Sequence, residues 1–247
     1  MNRAPYENAP IRIRDDLAAA HRRAWEHIAH PGTWWSGTER VALAAETRNA
    51  VNCRLCRQRK EALSPAAVSG SHDSLGELPE NVVEVVHRVR TDPARLTRGW
   101  FDSVIQSGLT PAQYVEIVSV VVHVVSVDTF ARGIGISPLP LPRPASGTPT
   151  EKQPRGAKPS PAWVPWIEPT DLTETEADIY PRGWAPANIH KAMSLVPAEV
   201  KSFFYLCEHQ YLGALEMRDF EREFRAITHA QIELLAGRVS ALNRCFY

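Results

Sequence analysis

Cysteine is scarce in this chain. Four among 247 residues are too few for a disulfide scaffold. Net charge is missing as well: 28 Lys plus Arg balance 28 Asp plus Glu, so the sequence lacks the long-range positive field of a dedicated nucleic-acid binder. The N-terminus has no succession of charged, apolar and small residues of the kind that makes a secretory signal, and a cytoplasmic, reducing setting is expected. No apolar run has membrane length. The most apolar stretch, 117–127, is interrupted by Ser119, His123 and Ser126 and bounded by Glu116 and Asp128. Asn-Gly and Asp-Gly hairpin turns do not occur, and HExxH, GxxxxGK and GxSxG are all missing, which removes the zincin, phosphate-loop and nucleophile-elbow readings. No cofactor or metal is expected, and neither nucleic acid nor membrane is expected as a partner.

Proline, by contrast, is abundant and unevenly placed. Nine of the twenty lie between Pro138 and Pro165, a segment that can be neither helix interior nor central strand. It divides the chain into a helical domain over 1–136, an extended connector over 137–170 and a second helical domain over 171–247. Trp163 and Trp166 close the connector, and two large aromatics there predict that its end docks.

Helix signals dominate both halves. Ser36 with Glu39, Thr110 with Gln113 and Thr228 with Gln231 have capping-box spacing, and Asp92-Pro93 offers a cap followed by proline at the first helical position. Periodicity predicts helices over 12–29, 37–62, 80–90, 93–106, 111–132, 197–211 and 229–247. The valine-rich run from Tyr114 to Val127 has strand propensity, but its capping box and length favour a buried helix. The expected fold class is all-α.

The chemistry concentrates on Cys53-x-x-Cys56. On a continuous helix over 37–62, Glu39, Glu46, Cys53 and Lys60 share one stripe, with Cys56 one turn beyond Cys53. Two thiols so placed could bridge, and so short a loop contributes little stability, so a bond there would serve reaction. Arg48, Arg54, Arg57, Arg59 and Lys60 are expected to lower the thiol pKa, and Glu46 is placed to relay a proton. The plainer reading is an amphipathic helix with two buried cysteines. A zinc site is disfavoured, because the motif supplies two ligands and no second pair stands at finger spacing. His72, His87 and His123 occur later in the same half; Glu116 and His123, seven residues apart, would share a face that could oppose the cysteine helix.

These residues carry a resemblance. The Ala- and Leu-rich segment 39–60 ending in C-x-x-C, the Gly-Leu-Thr-Pro-x-x-Tyr-Val-Glu-Ile run at 108–117 and the Phe-Ala-Arg-Gly-Ile-Gly run at 130–135 are similar to the alkylhydroperoxidase and carboxymuconolactone decarboxylase-like family. Segment 230–247 resembles the same family leading into its redox motif, and 188–197 resembles the opening of its peroxidase-related members. The resemblance implies two tandem all-helical copies, the second incomplete, since its second cysteine would fall one residue past Tyr247. It also implies a homo-oligomer.

Redox-active members reduce alkyl or hydrogen peroxides with the two cysteines, a glutamate upstream and a histidine downstream, and a thiol reductant restores them. Glu233 stands twelve residues before Cys245, as in the family pattern. In the first copy that position is Val41, and the family's downstream histidine is replaced by Lys60. The function implied is an antioxidant, peroxiredoxin-type oxidoreductase acting through Cys53 and Cys56 with Glu46, and through Glu233 and Cys245 in the second copy. The alternatives are a redox-sensing or non-catalytic module of the same fold, and a lactone-directed lyase.

Overall fold

The structure is a computed structural model that describes residues 6–181, 185–243 and 245. The fold is all-α. The chain forms two compact units, Met1–Leu206 and Cys207–Tyr247, whereas the sequence places its boundaries at both ends of the proline segment. In the first unit the helices are α1 (Asp15–Ala29), α2 (Gly37–Asn49), α3 (Arg54–Glu61), α4 (Glu80–Thr91), α5 (Arg98–Gln106), α6 (Pro111–Gly133) and α7 (Asn188–Met193). Then comes α8 (Pro197–Gln210), and the second unit carries α9 (His229–Leu242).

Helix α6 is the centre of the larger unit and packs against α1, α2 and α4. Its Thr110–Gln113 capping box and Pro111 at the first turn start it where the sequence predicts. Val115, Ile117, Val120, Val121, Val124 and Val127 are all buried. A valine costs at most about 0.7 kcal/mol in helix propensity, while burying one contributes about 1.5 kcal/mol or more, so packing overrides strand preference. By length and composition α6 could cross a membrane, but 61% of its apolar window is buried inside the protein. It serves as a core helix against the buried faces of α1 (Ala20, Ala24, Ile28), α2 (Leu43, Ala44) and α4 (Val82, Val85, Val86).

The proline segment holds one departure from a purely extended connector. Ala157–Lys158 (β1) and Trp166–Ile167 (β2) pair antiparallel, Ala157 opposite Ile167 and Lys158 opposite Trp166. Trp166 and Ile167 are buried, Tyr180 donates to the Ile167 carbonyl, and Trp163 remains 37% exposed. Prolines flank the pairing residues and so remove no ladder donor. In the smaller unit α9 opens on the Thr228–Gln231 capping box and ends at Leu242, short of the predicted 247; residues 244, 246 and 247 lie outside the described residues. Leu234, Leu235, Val239 and Leu242 on α9 are exposed.

Glu116 and His123 do share one face of α6, but that face does not meet the cysteines. It closes a buried ionic cluster with α2 and α8. Arg40 pairs with both Glu116 and Glu199, with its Nη1 2.8 Å from Glu199 Oε1, and all three side chains are fully buried. Ser119 donates to Glu199 at 2.6 Å, and His27 Nε2 lies 2.9 Å from the same carboxylate.

His123 Nδ1 donates to the Ser119 carbonyl at 2.8 Å, which leaves Nε2 to accept from the Ser202 hydroxyl at 3.0 Å. Burial drives the His123 imidazole down to about 4, with His27 and Arg40 adding and Glu199 opposing. Burial alone takes His21 to about 4 as well. In the unfolded chain both titrate near 6.5, so the stability they contribute is complete above that pH and is lost as pH falls from 6.5 toward 4. Each loss amounts to about 3 kcal/mol at most. Urea midpoints measured across this window should fall, and His123→Gln should make the fall shallower. An unchanged slope would exclude His123 as the titrating group.

Candidate functional site

Cys53 and Cys56 are not on one continuous helix. Helix α2 ends at Asn49, residues 50–52 make a single tight turn, and Cys53 is extended (φ −63°, ψ 125°) immediately before α3. The break has local causes. The Asn49 side-chain amide donates to Glu46 Oε1 at 2.9 Å and to the Asp73 carbonyl at 2.7 Å, offering the backbone an alternative to continued helix. Asp73 then accepts from the Arg54 N–H at 2.7 Å, closing the first turn of α3. Cys53 therefore holds the N-cap position, where a helix favours negative charge, instead of the mid-helix position that a continuous helix over 37–62 implies.

The loop between α3 and α4 brings His72 over the sulfurs. Its Nδ1 lies 3.5 Å from Cys53 Sγ and 3.4 Å from Cys56 Sγ. From α4, His87 Nδ1 lies 3.3 Å from Cys56 Sγ. Each imidazole is backed by a carboxylate through its other nitrogen: His87 Nε2 is 2.8 Å from Glu46 Oε1, and His72 Nε2 is 2.8 Å from Glu84 Oε2. Glu46 thus connects to Cys56 through His87 rather than along a helical stripe. The remaining carboxylate valences are also filled. The Leu75 N–H donates to Glu46 at 3.0 Å, and Trp100 Nε1 and Arg59 donate to Glu84 at 2.9 and 2.8 Å. Arg95 fastens the frame by donating to the carbonyls of Arg59, Lys60 and Ala62 at the end of α3 at 2.8–2.9 Å.

The expected cationic neighbourhood is largely neutralised. Arg48 forks onto Asp128 at 2.7 and 2.8 Å, Arg54 pairs with Asp73, and Arg59 pairs with Glu84. Imidazoles, not guanidinium groups, face the sulfurs. Burial acts to raise the Cys53 thiol, but the Cys56 amide, His72, the Asp73 N–H and the Cys56 thiol outweigh it and hold Cys53 below the usual range. Burial likewise opposes charge on His72, yet both cysteines and Glu84 lift it to about 10. Glu84 goes down to about 2, its burial overcome by hydrogen bonds from His72, Arg59 and Trp100. Burial lowers His87, with Glu46 opposing, so this imidazole favours its neutral form.

Both sulfurs are buried, Cys53 at 1% and Cys56 at 4% exposure, but polar groups cover them on the histidine side. A cleft of about 300 Å³ reaches His72 and Glu84 and is lined further by Gly70, Ser71, Ser74 and Asn81. Cys53, Cys56, His72 and His87 each offer one ligand atom, and these four atoms lie within 4.8 Å of one another. Such a set could hold a soft divalent ion, so the requirement for a second cysteine or histidine pair at finger spacing is met in space, across 34 residues of sequence.

The other two residues expected from sequence belong to the smaller unit. Glu233 on α9 accepts from the Tyr211 hydroxyl and lies 3.5 Å from His229 Nε2, and Cys245 is exposed. Sequence reasoning missed Glu84, Asp73 and Trp100. One signal was available: Glu84 and His87 stand three apart on one helix, the spacing that presents a carboxylate and an imidazole side by side. No protein-family model, curated protein or solved structure matches this chain.

Proposed function

We propose that the chain is a dithiol oxidoreductase of peroxidase type, reducing hydrogen or alkyl peroxides at Cys53 and Cys56. One observation carries the reading: two sulfurs three residues apart meet two imidazoles at 3.3–3.5 Å, each imidazole anchored by its own glutamate. The Glu46–His87 and Glu84–His72 pairs supply the proton handling that Val41 and Lys60 cannot. The resemblance of 39–60, 108–117 and 130–135 to alkylhydroperoxidases supports the same choice.

In the first step the Cys53 thiolate attacks the outer peroxide oxygen, the O–O bond breaks, and His72 delivers a proton to the departing alkoxide. The products are a Cys53 sulfenic acid and an alcohol, or water from hydrogen peroxide. His87, held neutral and oriented by Glu46, then takes the Cys56 proton; Cys56 attacks the Cys53 sulfur, water leaves and a disulfide forms. A thiol reductant donates two electrons and two protons to reopen the disulfide. The exposed row on α9 suits the homo-oligomer expected from sequence.

One equivalent of hydrogen peroxide added to the reduced protein should yield a species lighter by two hydrogens, mapped by peptide mass spectrometry to Cys53–Cys56 and reversed by dithiothreitol. Thiols that survive this treatment intact would exclude the enzyme and leave the non-catalytic module. Glu46→Gln keeps a hydrogen bond to His87 but removes the anion, and should slow disulfide closure about 100-fold in stopped-flow mixing.

A further inference from the structure

The four ligand atoms have the dimensions of a metal shell. In a tetrahedral zinc site with Zn–S near 2.3 Å and Zn–N near 2.05 Å, each sulfur-to-nitrogen edge is about 3.5 Å. Here the three close sulfur-to-nitrogen separations are 3.3, 3.4 and 3.5 Å. Both histidines aim Nδ1 inward and give Nε2 to a carboxylate, the outer-shell pattern that orients metal-bound imidazoles and raises their basicity. Those carboxylates are themselves held, Glu46 by Asn49 and Leu75 and Glu84 by Arg59 and Trp100.

We infer that Cys53, Cys56, His72 and His87 form a zinc centre in the reduced protein. The donor set decides the ion: two sulfurs and two imidazole nitrogens without an oxygen ligand exclude magnesium and calcium, and a compact four-donor shell suits zinc better than square-planar copper(II). With all four positions filled by protein, the metal has no open site for activating water. Its effect is to engage one lone pair on each sulfur, which lowers their nucleophilicity, and to join the loop carrying His72 to α3 and α4.

The centre also deepens the proposed peroxide chemistry, and this second part rests on that reading. Two zinc-bound thiolates, one peroxide and two protons give a disulfide, an alcohol (or water) and one more water. The two sulfurs together give up two electrons, which reduce and break the O–O bond, and the disulfide no longer holds the ion, which leaves. Zinc would therefore guard the dithiol until an oxidant removes it.

Protein purified under reducing conditions without chelator should carry one zinc per chain by elemental mass spectrometry. Replacing the ion with cobalt(II) should give the sulfur-to-cobalt charge-transfer and intense ligand-field bands of a four-coordinate site. Cys53→Ser and His87→Ala should lose stoichiometric metal, and Cys207→Ser, whose thiol lies outside the cluster, should keep it. Because a ligand variant can misfold, Glu84→Gln provides the gentler test: all four donors remain, and zinc affinity measured against a chromophoric chelator should weaken about 10- to 100-fold.

Reduced protein that takes up neither zinc nor cobalt overturns the metal centre, whether or not peroxide oxidises its thiols. Release of one zinc per disulfide formed, followed by chelator absorbance during peroxide addition, supports both parts. Stoichiometric zinc that peroxide does not release upholds the centre and overturns the oxidative release together with the peroxidase reading.

Discussion

Cys56→Ser should stop peroxide turnover, with the multiple-turnover rate falling about 1,000-fold or more, while a single equivalent of peroxide is still consumed. The asymmetry follows from where the two sulfurs sit. Cys53 stands at the head of α3 and accepts from the Asp73 N–H at 3.4 Å, so it keeps its nucleophile when its neighbour is gone. The sulfenic acid then lacks its resolving partner, because Cys56 is the sulfur that shares the His72 contact with Cys53; Cys207, half-buried on α8, has its thiol pushed up to about 12 and is a poor nucleophile. A sulfenic-acid trapping reagent should label Cys53 stoichiometrically in Cys56→Ser. Cys53→Ser should lose both turnover and the single labelled equivalent. Label appearing on Cys56 in Cys53→Ser at the wild-type rate would reverse the assignment of attacking and resolving sulfur.

Much of the fold is legible in the sequence because its helices announce their own beginnings. Ser36, Thr110 and Thr228 each close a capping box, and α2, α6 and α9 start where those residues place them. The valine-rich helix was legible for a different reason: length and a cap outweighed β-branched propensity, and burial on several faces supplied the compensation. The end of α2 was not legible. Nothing in the spacing of 37–62 marks a stop at Asn49, because the stop is made by groups from far along the chain, the Asp73 carbonyl and the Asp73 carboxylate. An α-helical period projected through residue 53 therefore put the cysteines on the wrong local geometry.

The site divides in the same way. Cys53, Cys56 and Glu46 were readable from type and spacing, and the structure brings Glu46 to the cysteines with His87 in between. The arginines around the motif were misread, since charge counted along a sequence says nothing of the carboxylates that meet it in space. His72 and His87 could be named as candidates but not chosen over His123. What separates them is which face of which helix each occupies: His87 shares α4 with Glu84 beside the thiols, whereas His123 lies on the α6 face that closes on α8. That choice is made by helix packing, which no local window of sequence contains.

The same packing makes Arg40 the position where a single substitution should cost the most stability. Its guanidinium lies between Glu116 and Glu199 and donates through Nη2 to the His27 carbonyl at 3.3 Å. Glu116 is further tied to the Trp34 N–H at 2.7 Å. Gly32 leaves the space the cluster needs, since a Cβ there would run into both the Glu116 carboxylate and the Arg40 guanidinium. Arg40→Met removes the one cation that faces both carboxylates, so two buried anions lose their shared partner and Glu116, which burial already pushes toward protonation, must take up a proton.

Breaking a buried pair in this way costs about 3–5 kcal/mol, a large part of the 5–15 kcal/mol typical of a whole domain. Chemical denaturation should register a loss of that size in Arg40→Met, and the triple variant with Glu116→Gln and Glu199→Gln should recover much of it, because the penalty lies in the uncompensated charges rather than in the absence of the ion pair. A triple variant no more stable than Arg40→Met would place the cost in lost packing of the arginine stem instead. Arg40 and Glu46 share α2, so hydrogen exchange offers a second reading. Loss of the cluster should speed exchange along α2, while the C-terminal end of α3, whose carbonyls accept from Arg95, keeps its protection.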